Sequence, residues 1–335
     1  MKRRDFLTTT AAGAAAIAGA GLSGLAQGGA PAAPAGQAPP AGRGGFSPIG
    51  QPGQPANVPA QKLARISLMQ LNFNSLLIPE PNTNNPNPTP TPLQTLTIFD
   101  LPKMYVENYG VHNIEFQLDR VVKSETDPDF IKRLKAALDE FKMTMTQVNM
   151  EIGVPTGMTG DAAGRRQGID RLKKWVDIAN QYGCKRLMLN QNQMGLTKEK
   201  RADAVAYMKE VADAGRPSGV MFSVETRGAT SAELQANLGM KAWEFMIGII
   251  NEAGANSNVD FGNVGAMDQA ELNACIKAWH PRSSGNMHIK SSPLWDIGKG
   301  VAYAESIGYK GNYAIEVGAH AGQRMVYNQI LANIA

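Results

Sequence analysis

The sequence predicts an α/β protein built as a (β/α)8 TIM barrel, a single domain that follows an export signal and a flexible linker. Three observations carry this expectation. From Leu63 onward, short apolar runs rich in Val, Ile, Met and Phe alternate with longer amphipathic segments. Eight such runs, each followed by a helical segment, span about 270 residues, the length that a (β/α)8 barrel requires. Helix-stop pairs recur just ahead of the strands, at Tyr109-Gly110, Tyr182-Gly183 and Ile307-Gly308. A doubly wound open sheet is the alternative, but no glycine-rich phosphate fingerprint follows the first strand.

The elements follow in chain order. Residues 1–26 read as a signal of the twin-arginine type: Lys2, Arg3 and Arg4 precede Phe6-Leu7, an Ala/Gly-rich stretch of mild hydrophobicity and the small-residue end Gly24-Leu25-Ala26. Ala and Gly make a poor membrane span, so an uncleaved anchor is the minor reading. Residues 27–60 are rich in Gly, Pro, Ala and Gln and read as a linker, since they lack the apolar mass that offsets the entropy of ordering. The domain itself is assigned to residues 61–335. Strands are expected at Arg65–Leu71, Val111–Gln117, Met143–Asn149, Cys184–Asn190, Val220–Glu225, Asn258–Phe261, Asn286–Lys290 and Tyr313–Glu316. Helices are expected at Phe130–Phe141, Arg166–Tyr182, Lys198–Ala214, Ser231–Ala253, Asp268–Trp279, Leu294–Ile307 and Gln323–Ile334, with the first crossover somewhere within Leu93–Tyr109. The Pro/Asn-rich stretch Ile78–Pro92 is long for a barrel loop and reads as a lid or substrate wall, with disorder as the competing reading.

Composition removes several function classes. The chain has 335 residues with 33 Lys+Arg against 29 Asp+Glu, a balance too even for a nucleic-acid footprint. Two cysteines are too few to staple a domain of this size, and four histidines argue against a site holding several zinc ions.

The chemistry lies at the strand ends. Strand residues alternate between the helix-facing and lumen-facing sides of a barrel. In the fifth strand Phe222 and Val224 face the helices, so Ser223 and Glu225 face inward. Val259 and Phe261 flank Asp260 in the sixth. Met287 and Ile289 flank His288 in the seventh, with Lys290 sharing the side of His288. Tyr313 and Ile315 face outward in the eighth, which turns Glu316 in. Glu225, Asp260, His288 and Glu316 are separated by 35, 28 and 28 residues, one βα unit each. Singly, each is an ordinary strand-end group. Together, at equal parity and one-unit spacing, they form a ligand set of three carboxylates and one imidazole. Such a set suits one divalent metal ion (Mn, Mg or Co), with Zn also possible.

The runs Ser223-Val224-Glu225-Thr226-Arg227-Gly228, Val259-Asp260-Phe261-Gly262-Asn263, Met287-His288-Ile289-Lys290 and Tyr313-Ala314-Ile315-Glu316-Val317 resemble the sugar phosphate isomerase/epimerase family of xylose-isomerase-like barrels. Within it, the likeness is to the ketose 3-epimerase and inosose dehydratase branches. The resemblance covers roughly Leu63 to the end, and Asp296-Ile297-Gly298-Lys299-Gly300 adds to it. It implies that Glu225, Asp260, His288 and Glu316 bind one metal ion. Three positions depart from the family pattern: Arg227 and Asn263 stand where a substrate-side His is common, and Ser291 stands where Asp often follows the His-x-Lys.

The other strand ends are rich in groups that donate and accept hydrogen bonds, as sugar hydroxyls require. Glu115, Asn149, Gln191, Arg227, Asn263 and Lys290 are the candidate substrate contacts, with Gln70, Asn72 and Asn74 in reserve. Trp295 is a candidate for stacking on a sugar ring. Only Lys290 and Arg227 bring positive charge to the mouth, so a neutral sugar or polyol is expected rather than a sugar phosphate. The expected activity is metal-dependent isomerisation or epimerisation by proton abstraction next to a carbonyl, with Glu225 and Glu316 as the acid–base pair. A sugar or inosose dehydratase on the same site and a non-catalytic exported sugar-binding barrel are the alternatives. The expected partners are a small-molecule sugar and the twin-arginine export machinery, with no nucleic acid, and the expected location is periplasmic or otherwise exported. Changing Arg3 and Arg4 to Lys should hold the precursor in the cytoplasm; fractionation that finds the variant outside the inner membrane at the parent's level overturns the export reading.

Overall fold

Eight parallel strands pair in chain order and close on themselves. They are β1 (Ile66–Met69), β2 (Asn113–Gln117), β3 (Thr144–Asn149), β4 (Arg186–Leu189), β5 (Met221–Glu225), β6 (Asn256–Asp260), β7 (Ser283–Ile289) and β8 (Asn312–Ile315). The ring closes through the pairing of Ile66, Ser67 and Leu68 with Tyr313, Ala314 and Ile315. The computed structural model describes residues 58–80, 87–150, 162–189, 197–226 and 236–335. The signal and the linker as far as residue 57 lie outside the described residues, as do the middle of the loop after β1 and the candidate contacts Gln191 and Arg227. A short helix, α1 (Ala60–Leu63), precedes β1. Among the described residues, no helix is long and apolar enough to cross a membrane.

The helices between the strands start and stop where local chemistry dictates. The Asp127 carboxylate accepts hydrogen bonds from the amides of Asp129 and Phe130, and Pro128 occupies the first turn, so a helix begins at Pro128 and runs to Glu140. Asp268 accepts from the Glu271 amide and starts the helix Gln269–Trp279. Asp296 does the same through the Lys299 amide for the helix Ile297–Ser306. At the other end, Gly110 takes φ 65° after the helix Leu101–Tyr109, and Gly254 takes φ 68° after the helix Ala242–Ala253. A side chain is strained in that left-handed region, which is why these helices end on glycine.

The apolar core lies between the strands and the helix ring. Trp175, Trp279, Phe116, Phe222 and Phe261 are fully buried there. Both cysteines are buried free thiols, and burial pushes the Cys184 thiol up to about 11, which removes it from nucleophilic chemistry at neutral pH. The barrel expectation thus holds, with differences in detail. The helix expected over Ser231–Ala253 is interrupted ahead of Ala242, where Gly239 takes φ 70°, and three further differences bear on the strands and the first crossover. β1 ends at Met69, and the chain turns into a 3-10 segment over Gln70–Phe73 instead of running on to Leu71. β7 begins at Ser283, three residues before its expected start. The first crossover resolves into the helix Leu101–Tyr109, preceded by an extended stretch whose Leu96 pairs with Leu77.

Candidate metal centre

The last four strands converge on one rim through a stagger of two residues from β5 to β6 and of two from β7 to Glu316. Asp260 is the register partner of His288 across β6 and β7, and His288 is the partner of Ala314 on β8. Glu225 pairs with Asn258 on β6, and the Glu316 amide donates to the Ile289 carbonyl just beyond β8. In a parallel barrel these alignments bring four lumen-facing side chains to one rim. One ligand atom from each of Glu225, Asp260, His288 and Glu316 lies within 4.8 Å of all the others. Donors on opposite sides of an ion bound at about 2.0–2.6 Å are separated by about 4–5 Å, so the four residues fit a single divalent cation. The imidazole points the right way for this. Its Nδ1 lies 2.9 Å from Glu225 Oε1, 2.9 Å from Glu316 Oε2 and 3.7 Å from Asp260 Oδ2.

Backbone clamps fix the rim. Thr226, fully buried at the end of β5, accepts from the Asp260 amide at 2.7 Å through its hydroxyl, which in turn donates to the Asp260 carbonyl. Asn72 straddles Glu316: its Nδ2 donates to the Ile315 carbonyl at 2.7 Å and its Oδ1 accepts from the Val317 amide at 2.9 Å. The Asn263 amide donates to Asp260 Oδ1 at 2.7 Å, locking that carboxylate's rotamer.

Beneath the rim the lumen is polar. Two residues below the ligands, on the same parity, stand Ser223, Asn258, Asn286 and Ala314. Glu115 enters from the opposite wall on β2 and is fully buried. Its Oε1 lies 2.6 Å from His288 Nε2 and accepts from Gln147 Nε2, and its Oε2 accepts from Asn286 Nδ2 at 2.9 Å. Asn149, buried beside it, accepts from the same Gln147 amide at 3.1 Å.

Of the residues expected to touch substrate, Glu115 and Asn149 therefore lie under His288 and not at the mouth, because β2 and β3 deliver them to the layer below the rim. Lys290 does reach the mouth, but its ammonium is 2.8 Å from Asp260 Oδ2 and 2.7 Å from Glu316 Oε1. Glycine at position 262 makes room for it, since a Cβ there would sit 2.7 Å from the Lys290 stem. Trp295 packs partly buried against the core. Gln147, Asn286 and Thr226 were not singled out by sequence. Asn286 carried a usable signal, its equal parity with His288. Gln147 did not, because the β2–β3 register shifts between Ile114 and Glu115 and breaks the alternation there.

The electrostatics follow from three buried acids, Glu115, Glu225 and Asp260, and the half-buried Glu316 around two cations. Burial alone would raise the Asp260 carboxyl, but Lys290 and His288 hold it well below the usual carboxylate range. Burial likewise opposes ionisation of Glu115, and the His288 imidazolium overrides it and lowers that carboxyl. For His288 itself, burial disfavours the charged ring, yet Glu115, Asp260 and Glu225 raise it well above its ordinary value. A cavity of about 280 Å³ opens over the rim, lined by Leu71, Lys290, Ser291, Glu316, Val317 and Gly318. A larger cavity of about 730 Å³ lies on the flank near Phe99, Phe130 and Arg133. None of Glu225, Asp260, His288 and Glu316 lines it.

Residues 105–320 match the family described as xylose isomerase-like TIM barrel. No curated protein matches the chain. Among solved structures, a xylose isomerase-like TIM barrel protein from Mycobacterium smegmatis in complex with magnesium superposes with TM-score 0.56 at 13% identity, over 82% of this chain and 99% of that one. The D-allulose 3-epimerase from Methylomonas sp. gives 0.56 at 15% identity, over 80% and 96%. The probable 3-DHS dehydratase of petrobactin synthesis from Bacillus anthracis gives 0.54 at 12% identity, over 79% and 97%. At such identities the superpositions speak to the fold.

A metal-ligating imidazole must be free of its ligand-side proton, and the acidic neighbours of His288 hold that proton on. Below the raised value, uptake of an ion should therefore release up to one proton, and apparent affinity should climb as pH rises, by up to about tenfold per unit for a single linked proton. Calorimetry of Mn²⁺ binding in two buffers of different ionisation enthalpy reads this directly; identical heats in both, at constant affinity from pH 6 to 8, contradict it.

Proposed function

Because this chain belongs to the xylose isomerase-like TIM barrel family, we propose that it is a metal-dependent sugar isomerase or epimerase that moves a proton next to a carbonyl. The observation that carries this reading is the convergence of Glu225, Asp260, His288 and Glu316 within 4.8 Å at the C-terminal strand ends, the side of the barrel where such folds keep their chemistry. A divalent ion held there supplies Lewis-acid polarisation of the substrate's carbonyl and hydroxyl oxygens.

The chain's own residues supply the rest. Glu225 ends β5 and Glu316 follows β8, so β6 and β7 lie between them, and each has an oxygen 2.9 Å from His288 Nδ1. Carboxylates so placed can face the reacting carbon from two directions. One takes the proton from the carbon beside the carbonyl, leaving an enediolate; the other returns a proton to the opposite face, which inverts that centre. Return of the proton to the neighbouring carbon gives the aldose–ketose isomer instead. Expulsion of a neighbouring hydroxyl as water from the same enediolate gives a dehydratase.

The substrate fits a neutral sugar or polyol. Among the described residues at the mouth, Lys290 is the cation, and it is already committed to Asp260 and Glu316. A phosphate would need further free donors. The start of the sequence fits an exported enzyme: twin-arginine export carries folded proteins, so an ion loaded in the cytoplasm would travel with the chain.

Turnover in D2O with Mn²⁺ present tests the proton transfer. A panel of ketoses, aldoses and inososes should include one that gains deuterium at the carbon beside its carbonyl, in product or recovered substrate. An isomer of equal mass apart from the label identifies an epimerase or isomerase, and a product lighter by one water identifies the dehydratase. Turnover with every carbon-bound hydrogen retained would remove Glu225 and Glu316 from the role of proton shuttle.

A further inference from the structure

We propose that Glu115, which reaches under His288 from β2 across the barrel, is the positioning residue that aims His288 at the ion. This rests on the metal-dependent reading above and adds a residue to it. An imidazole offers two nitrogens on opposite edges, and only the one turned to the cage can ligate. His288 has Nδ1 toward Glu225 and Glu316 and Nε2 toward Glu115, at 2.6 Å.

The hydrogen-bond inventory fixes Nε2 as a donor. Nε2 is also 3.2 Å from Gln147 Nε2, an amide nitrogen with two hydrogens and no acceptor capacity. Both hydrogens have better-placed acceptors, Glu115 Oε1 at 2.9 Å and Asn149 Oδ1 at 3.1 Å. The short contact between His288 Nε2 and Glu115 is then Nε2–H donating to a carboxylate, so Nδ1, whose own proton faces Glu225 and Glu316 while no ion is bound, is the nitrogen whose proton an ion displaces. Glu115 cannot swing away from this task. Its second oxygen is held by Asn286 Nδ2, and Glu115, Gln147 and Asn286 are all fully buried. Nor can it reach the mouth, since the His288 ring lies between it and the cage.

A carboxylate on the remote nitrogen both fixes the ring and makes the ligating nitrogen a better donor. Disrupting such an outer partner weakens metal affinity by about 10–100-fold in other sites. Glu115 therefore acts on the ion through His288 and touches neither ion nor substrate.

The test uses the purified full chain stripped of metal. Free Mn²⁺ is followed by electron paramagnetic resonance for the parent, for Glu115→Gln and for Asn286→Ala, which leaves Glu115 in place but frees its second oxygen. Glu115→Gln should bind Mn²⁺ about 10–100-fold more weakly, and Asn286→Ala should shift in the same direction by less. Long-range proton–nitrogen spectra of the histidine-labelled Mg²⁺ form give a second readout that a purely structural role would not move. The parent should show His288 protonated at Nε2 with that proton protected from exchange, and the protection should vanish in Glu115→Gln. A parent that binds Mn²⁺ while both variants bind within twofold of it, or a parent protonated at Nδ1, overturns this proposal alone. A parent that takes up no ion overturns the metal-dependent reading and this inference with it.

Discussion

The structure is organised around the burial of carboxylates of like charge at one end of a closed barrel. Glu225, Asp260 and Glu316 bring oxygens within 4.8 Å of one another, and Glu115 lies immediately below. Two like charges about 4 Å apart repel by about 4 kcal/mol at the effective dielectric typical of such sites. A few such pairs rival the whole ~5–15 kcal/mol that holds a domain together. The arrangement survives only with positive charge at its centre. His288 and Lys290 supply part of it, each held in its charged form by the acids it touches. That accumulation of negative charge around one imidazole edge is what suits the rim to a divalent cation.

The remaining features serve that constraint. Thr226, Asn72 and the Asn263 amide grip backbone or carboxylate on either side of the ligands, so the oxygens are held by the chain before any ion arrives. The small residues Ser223 and Ala314 beneath the rim leave space in the lumen that Glu115, Gln147 and Asn286 fill with a connected hydrogen-bond network. A barrel lumen is ordinarily packed with branched apolar side chains. Here it is polar from Ser67 and Thr146 up to His288. Burying polar groups in this way costs stability unless each finds a partner.

How much of this was legible in sequence depended on whether the alternation of side chains was intact. In β5 to β8 it was. Phe222 and Val224, Met287 and Ile289, and Tyr313 and Ile315 mark the outward face, and the functional groups fall between them, so the convergence of four ligands follows from parity and spacing. In β1 to β3 it was not. β1 is only four residues long and turns into a 3-10 segment, which carries Asn72 away from the expected lumen face and onto the backbone of β8. The register shift between β2 and β3 places Gln147 beside Glu115 in a way that simple alternation does not give. Depth was the other hidden quantity. Glu115, Asn149 and Lys290 all lie near strand ends in sequence, yet only Lys290 rises to the mouth, because depth depends on how each strand is staggered against its neighbours.

The measurement that bears most directly on this account is the position of a bound ion. Crystals of the protein grown or soaked with Mn²⁺ should give one strong anomalous peak, about 2.0–2.3 Å from carboxylate oxygens of Glu225, Asp260 and Glu316 and from His288 Nδ1. The ring of His288 should keep the orientation described here, with Nε2 on Glu115. A peak bound elsewhere, or a fully soaked crystal with no peak between these four residues, would contradict it.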